Sequence, residues 1–222
     1  MRNNIMEQIG KLMGLRYKSH PWHGIDLGKD APNVITSFIE MVPTDTVKYE
    51  IDKDSGYLRL DRPQKYSNVV PALYGFIPQT YSSNSVAELS RKALNRPEIV
   101  GDKDPIDICI LTEKQITHGN IIVMARPIGG FRMIDDNEAD DKIIAVLNND
   151  AFYGSYEDIS DCPDIVIERL KHYFLTYKDM PSTGKRNSEI THVYGTKEAH
   201  TIIKNGMLDY KKKFSNLETM FG

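Results

Sequence analysis

The chain has 222 residues, 40% of them hydrophobic and 27% charged, with a formal net charge of -3. That length supports one sizeable core, and the composition is that of an ordinary soluble domain. It excludes a basic footprint for nucleic acid or an anionic membrane, and no apolar run reaches the length of a bilayer span.

Residues 1–19 carry Ile5, Ile9, Leu12 and Met13 at helical spacing, which predicts a short amphipathic helix packed on the body or on a neighbouring subunit. His20-Pro21-Trp22-His23-Gly24 breaks that pattern and reads as a packed, hydrogen-bonded loop rather than a ligand site. Residues 34–42 are rich in β-branched and aromatic types and predict a strand, with Glu40 set inside an otherwise apolar run. Along 47–52, Val47, Tyr49 and Ile51 alternate with Lys48, Glu50 and Asp52. Lys53-Asp54-Ser55-Gly56 then turns the chain back along 57–62. The polar face carrying Lys48, Glu50 and Arg62 is either a solvated surface or a working site. The proline-punctuated stretch 71–78 is expected to stay out of the centre of a sheet. Residues 82–101 are polar and read as a surface excursion with a short helix near 87–94.

The excursion ends at Gly101-Asp102-Lys103-Asp104-Pro105-Ile106-Asp107, where three carboxylates precede the apolar run Ile108-Cys109-Ile110-Leu111. Pro105 stiffens the turn and biases Asp104 toward extended backbone. Carboxylates crowded at the mouth of a buried strand repel one another unless a cation neutralises them, and a hard divalent metal is the simplest such cation. A polar turn capping the strand is the plainer reading of this segment alone. Strands are expected at 106–111 and 121–126, with a turn at Gly119-Asn120 and a bulge or bend at Gly129-Gly130. A second acidic cluster runs from Asp135 to Asp141 and abuts the strand Ile143-Ile144-Ala145-Val146. It is not an EF-hand: the sixth position is no glycine, the twelfth no Glu, and strands flank it. If the strands behind the two clusters are neighbours in a closed sheet, both clusters converge at one end of it.

Asp161-Cys162-Pro163 opens a helix whose apolar stripe is Val166, Leu170, Tyr173, Phe174 and Tyr177, and Tyr177-Lys178 ends it. Gly195-Thr196 precedes a second helix with Ala199, Ile202, Ile203 and Tyr210 inward, and the last eight residues look frayed. Cys109 falls in the apolar strand and Cys162 in a polar turn; two such cysteines make no disulfide framework and predict a reducing cytoplasm. The N-terminal segment lacks the apolar core of a secretory signal. The six histidines include no zinc spacing. Carboxylates that gather divalent metals, ringed by Lys, Arg and Tyr, suit a compact phosphate ester or anhydride, which the residues alone carry as far as a metal-dependent phosphoryl hydrolase.

The same residues resemble the soluble family I inorganic pyrophosphatases over most of 20–180. The family's D-x-D-P-x-D turn is matched from Asp102 to Asp107. In family order it is accompanied by K-Y-E at Lys48-Tyr49-Glu50, D-R at Asp61-Arg62 and P-x-x-Y-G from Pro71 to Gly75. R-P-I-G follows from Arg126 to Gly129, then D-x-K at Asp140-Asp141-Lys142 and Y-K at Tyr177-Lys178.

The resemblance implies a mainly β chain with α-helices (α+β): a five-stranded OB-like closed β-barrel with helices packed outside. It divides the chain into an extension at 1–30, one domain at 31–214 and a tail at 215–222. It implies hydrolysis of pyrophosphate to two phosphates by water activated between several Mg²⁺ ions, in a cytoplasmic homo-oligomer. Asp102, Asp107, Asp140 and Asp135 would hold metal, with Asp107 bridging two ions. Asp104 would be the general base. Lys48, Arg62, Tyr74, Tyr177 and Lys178 would bind phosphate, with Glu40, Glu50 and Lys142 in support. Val70 stands where the family usually has tyrosine, and Leu73 where asparagine is common, which puts turnover rather than reaction class in question. Two other readings remain open: a related phosphohydrolase acting on a nucleotide, and a non-catalytic metal-binding or OB-type module.

Overall fold

Runs of β-branched and aromatic residues bounded by Gly, Pro and Asn divide the chain into short strands, and the helices fall where the apolar spacing turns to 3.6. A computed structural model describes residues 17–178 and 188–219; the helical spacing at Ile5, Ile9, Leu12 and Met13 lies outside the described residues. In chain order the elements are β1 (Ile35–Met41), β2 (Val47–Ile51), β3 (Leu58–Pro63), β4 (Leu73–Phe76), α1 (Asn84–Leu94) and β5 (Val100–Gly101). There follow β6 (Asp107–Leu111), β7 (Ile121–Asp135), β8 (Glu138–Ala139), β9 (Lys142–Leu147), α2 (Asp164–Thr176), β10 (Ser188–Gly195) and α3 (Thr196–Thr219).

Five strands close on themselves. β1 pairs with β4, β4 with β6, β6 with β9, β9 with β7, and β7 returns to β1. All are antiparallel except β6 and β9, which run parallel in the register Asp107↔Lys142 through Leu111↔Val146. Side chains of β6 and β9 alternate between two cores. Ile108, Ile110, Ile143 and Ala145 pack with Ile202 and Ile203 of α3 on one side. Cys109, Leu111, Ile144 and Val146 pack with Leu170 and Phe174 of α2 on the other. Burial on both faces is why these two strands read as unbroken apolar runs.

The β2–β3 hairpin is a separate two-stranded sheet. It is joined to the ring at Glu40, whose Oε1 accepts from the Ile51 N–H at 2.6 Å. β7 kinks between Pro127 and Gly129, where the bend was expected, and its far half leaves the ring to pair with β8 and β10.

The structure corrects two expectations. Residues 71–78 do supply a ring strand, because the prolines lie outside a four-residue ladder. At Gly75 a Cβ would lie 1.9 Å from the Phe38 carbonyl oxygen, so this crossing of β4 over β1 needs glycine. The 82–101 segment carries the short helix expected of it but is docked rather than a bare surface excursion: the Val86, Ala87 and Ser90 face of α1 is buried, and Asp209 of α3 accepts from the N–H groups of Ser83, Ser85 and Val86. Cys162 lies in the turn before α2, as expected, with its side chain buried in the α2-side core. β10, a β-branched run at Ile190-Thr191-His192-Val193, is a strand the sequence reading does not contain. Helix α3 continues to Thr219 through non-helical backbone at Phe214 (φ -113°, ψ 18°). No helix among the described residues is long and apolar enough to cross a membrane.

Candidate active site

Parallel pairing of β6 with β9 is what brings the two acidic clusters together. The strand starts coincide, so Asp107 faces Lys142, and each cluster lies just upstream of its strand at the same rim. Asp135 arrives at the end of β7, Tyr177 and Lys178 at the end of α2, and Lys48, Glu50 and Arg62 on the hairpin that forms the opposite wall. The result is a cavity of about 500 Å³. Every site residue expected from the sequence lines it: Asp102, Asp104, Asp107, Asp135 and Asp140; Lys48, Arg62, Tyr74, Tyr177 and Lys178; Glu40, Glu50 and Lys142. Asp52, Lys53, Asp54, Arg59 and Glu138 also line it and were not anticipated. Lys53 and Arg59 are single charges on an ordinary hairpin, with no local signal of a role until the hairpin is docked.

The polar groups pair mostly within each wall, and Arg62 reaches across to Tyr177. Lys142, only 2% exposed, places its ammonium against Asp107 and Asp140. Tyr74 OH donates to Asp107 Oδ2 at 2.6 Å. Lys178 pairs with Asp135, which also accepts from Ser188 Oγ at 2.6 Å. On the hairpin, Lys48 reaches Glu50 at 2.9 Å and Asp61 at 3.3 Å, Arg59 reaches Glu50 at 2.5 Å, and the Arg62 guanidinium lies 5.9 Å from the Tyr177 ring centroid.

Burial pushes the Asp102 carboxyl well above the carboxylate range, and the nearby Asp140 charge adds to it. Burial raises Asp140 to about 6 although Lys142 opposes the shift. Burial works against the Lys142 ammonium, but Asp107 and Asp140 outweigh it and hold its pKa well up. Burial drives Glu40 to about 8.

Glu40 yields a sharp prediction. Its folded pKa exceeds its unfolded one, so the stability it contributes is complete below about pH 4.5 and is lost as pH rises through about 8. Across that window the slope is about 1.4 kcal/mol per pH unit. Glu40→Gln keeps an acceptor for the Ile51 N–H and removes the proton, so urea unfolding of the variant at pH 5, 6.5 and 8 should lose this part of the slope. An unchanged pH dependence would show that Glu40 is not the titrating group.

Ten carboxyl groups line the cavity against six cationic side chains. The donors are hard oxygens, and burial together with neighbouring carboxylates (Asp140 beside Asp102, Asp107 beside Asp140) disfavours their charged forms, so the chemistry of the set fits divalent cations. Among the described residues no three acidic, imidazole or thiol groups stand close enough to hold an ion as they lie; the Lys142 ammonium sits between Asp107 and Asp140, and Lys178 sits against Asp135.

A closed ring of strands with a charged, oxygen-rich cavity at one rim suits the class of metal-dependent hydrolases that act on small phosphate anhydrides. Comparison with known proteins narrows the class. Residues 37–211 match the family model Inorganic pyrophosphatase. The inorganic pyrophosphatase of Chlamydia muridarum is 51% identical over 199 residues, covering 88% of this chain and 95% of that protein. Soluble inorganic pyrophosphatase 2 of Chlamydomonas reinhardtii is 32% identical over 196 residues, covering 88% and 91%. The crystal structure of the inorganic pyrophosphatase from Thermus thermophilus superposes with a TM-score of 0.72 at 27% identity, covering 87% of this chain and 99% of that one. The chain belongs to the inorganic pyrophosphatase family, enzymes that hydrolyse pyrophosphate to two phosphates.

Proposed function

We propose that the cavity hydrolyses pyrophosphate with several Mg²⁺ ions, Asp104 serving as the general base. The observation that carries the reading is the excess of carboxyl groups over cations in the lining. A polyanion entering a negatively charged cavity is repelled unless further cations accompany it. Asp102, Asp107, Asp140 and Asp135 would hold them, with Asp107 central because β6 places it between the two clusters. Bound divalent ions neutralise phosphate oxygens and lower the pKa of a water.

The chain supplies the rest. Lys48, Arg62 and Lys178 bind the phosphate oxygens as charged donors, and Tyr74 and Tyr177 add hydroxyl donors. Asp104, half-exposed at the rim, takes a proton from the water that attacks phosphorus as the bridging P–O bond breaks. Lys142 places a positive charge between Asp107 and Asp140, Glu50 orients Lys48, and Glu40 fixes the hairpin wall against the ring. In the same reading the five-strand ring is an OB-like barrel, and the protein is a cytoplasmic homo-oligomer. Two buried free thiols, Cys109 and Cys162, suit a reducing compartment.

Phosphate release from pyrophosphate, ATP and a phosphomonoester, each with Mg²⁺ and with EDTA, tests the proposal. Mg²⁺-dependent release from pyrophosphate well ahead of the other two is expected. Preference for ATP would move the assignment to a nucleotide hydrolase, and metal uptake without release would make the protein a binding module.

A further inference from the structure

We infer that Lys53, at the turn of the β2–β3 hairpin, is a positioning residue for Asp104: its ammonium sets the orientation of the carboxylate that accepts the proton. The inference rests on the assignment of Asp104 as that acceptor and extends it to a residue of the opposite wall.

Asp104 is unlike the other acids of the cavity. Its backbone is fixed: the N–H donates to Asp102 Oδ1 at 3.0 Å, the carbonyl accepts from the Ser82 N–H at 2.8 Å, and Pro105 follows. Its side chain is not fixed from within the acidic turn. Asp107 is held by Tyr74 and Lys142, and Asp135 by Lys178 and Ser188. The Asp104 carboxylate is 46% exposed, and its side-chain partner among the described residues is Lys53. Without that partner nothing in the turn selects among the rotamers of an exposed carboxylate.

Lys53 is itself held. The turn that carries it is closed by the Gly56 N–H to the Asp52 carbonyl at 2.8 Å and by Ser55 to the Asp52 carboxylate at 2.6 and 2.9 Å. Gly56 has φ +73°, and a Cβ there would lie 2.8 Å from the His20 ring, so the turn seats directly on that histidine. His20 Nδ1 accepts from the Trp22 N–H at 3.2 Å, which leaves Nε2 to carry the hydrogen and donate to the Lys53 carbonyl at 3.1 Å. Trp22 Nε1 donates to the Thr80 carbonyl at 2.8 Å, and Thr80 Oγ1 accepts from the Ile106 N–H at 3.0 Å, two residues past Asp104. One loop, His20 to Trp22, therefore braces both ends of the Lys53–Asp104 contact. Stability does not account for the pair, since an ion pair this exposed is screened by water and adds little to folding. Placement of a reacting group does account for it, because displacements of about 1 Å cost about a hundredfold in rate.

The test compares Lys53→Met, Lys53→Arg, Asp104→Asn and the Lys53→Met/Asp104→Asn double variant of the full chain. Steady-state hydrolysis of pyrophosphate at saturating Mg²⁺ and melting temperatures are measured for each. A positioning role predicts kcat about tenfold or more lower for Lys53→Met, with KM within about twofold and the melting temperature unchanged. Lys53→Arg should recover most of the loss. In the Asp104→Asn background Lys53→Met should have no further effect, since the group it orients is gone. A wild-type kcat for Lys53→Met would overturn the inference. So would a loss that persists in full in the Asp104→Asn background, or one carried by KM alone, because either would make Lys53 a direct phosphate ligand. A wild-type rate for Asp104→Asn would instead remove the base assignment and is distinguishable from all of these.

Discussion

Asp104→Asn should lower kcat for pyrophosphate by about two to four orders of magnitude, the usual contribution of a positioned general base, with the melting temperature near wild type. The substitution is isosteric and leaves in place every contact that shapes the turn. The backbone N–H still meets Asp102 and the carbonyl still meets Ser82. The amide oxygen can still accept from Lys53, and the half-exposed position means that no buried polar group is orphaned. Only proton acceptance is lost. Because the defect appears in the chemical step, kcat and kcat/KM should fall together. Phosphate-release kinetics beside a thermal melt provide the check. A folded variant with wild-type turnover would require another acceptor, with Asp102 and Glu50 of the same cavity the carboxyls to examine, while leaving family membership untouched.

The site was more legible than the framework around it. Metal and phosphate chemistry demands particular residue types at particular spacings, so Asp102, Asp104 and Asp107 in one turn and Asp140 with Lys142 in another stand out in a string of letters. All of them line the cavity. The apolar runs of β6 and β9 were equally plain, since burial on both faces leaves no room for alternation. What stayed hidden depends on pairing between distant segments. β4 looked unfit for a sheet because two prolines bracket it, and only its docking between β1 and β6 shows that neither proline interrupts a ladder. The 82–101 segment looked like a loose polar excursion because its buried face is small and its cap, Asp209, lies more than a hundred residues downstream. Lys53 was invisible for the same reason: an ammonium on a hairpin is a surface group until the other wall of the cavity is known.

Lys142→Met should destabilise the metal-free protein strongly at neutral pH, by about 3–5 kcal/mol, the typical cost of breaking a buried ion pair from one side. Methionine matches the stem of the side chain and keeps its packing near Phe174, where the wild-type ammonium lies 5.6 Å from the ring centroid. The loss is therefore electrostatic: Asp107 and Asp140 would face each other and Asp102 with no cation between them. Its pH dependence has a definite sign. Asp140 already has a folded pKa of about 6, above its unfolded value of 3.8. Its contribution is therefore complete below about pH 4 and is lost as pH rises through 6. Removing Lys142 takes away the larger of the two cationic influences opposing that rise and leaves only Lys178, so the variant should sit closest to wild type near pH 5 and fall away steeply by pH 7.5. Urea unfolding in EDTA at the two pH values measures the difference. Excess Mg²⁺ should restore part of the deficit at pH 7.5, because an ion bound only by the folded chain adds stability by mass action and would occupy the space between the carboxylates that the ammonium vacates. Equal stability of variant and wild type at pH 7.5 in EDTA would mean that Lys142 is not what holds the acidic rim together.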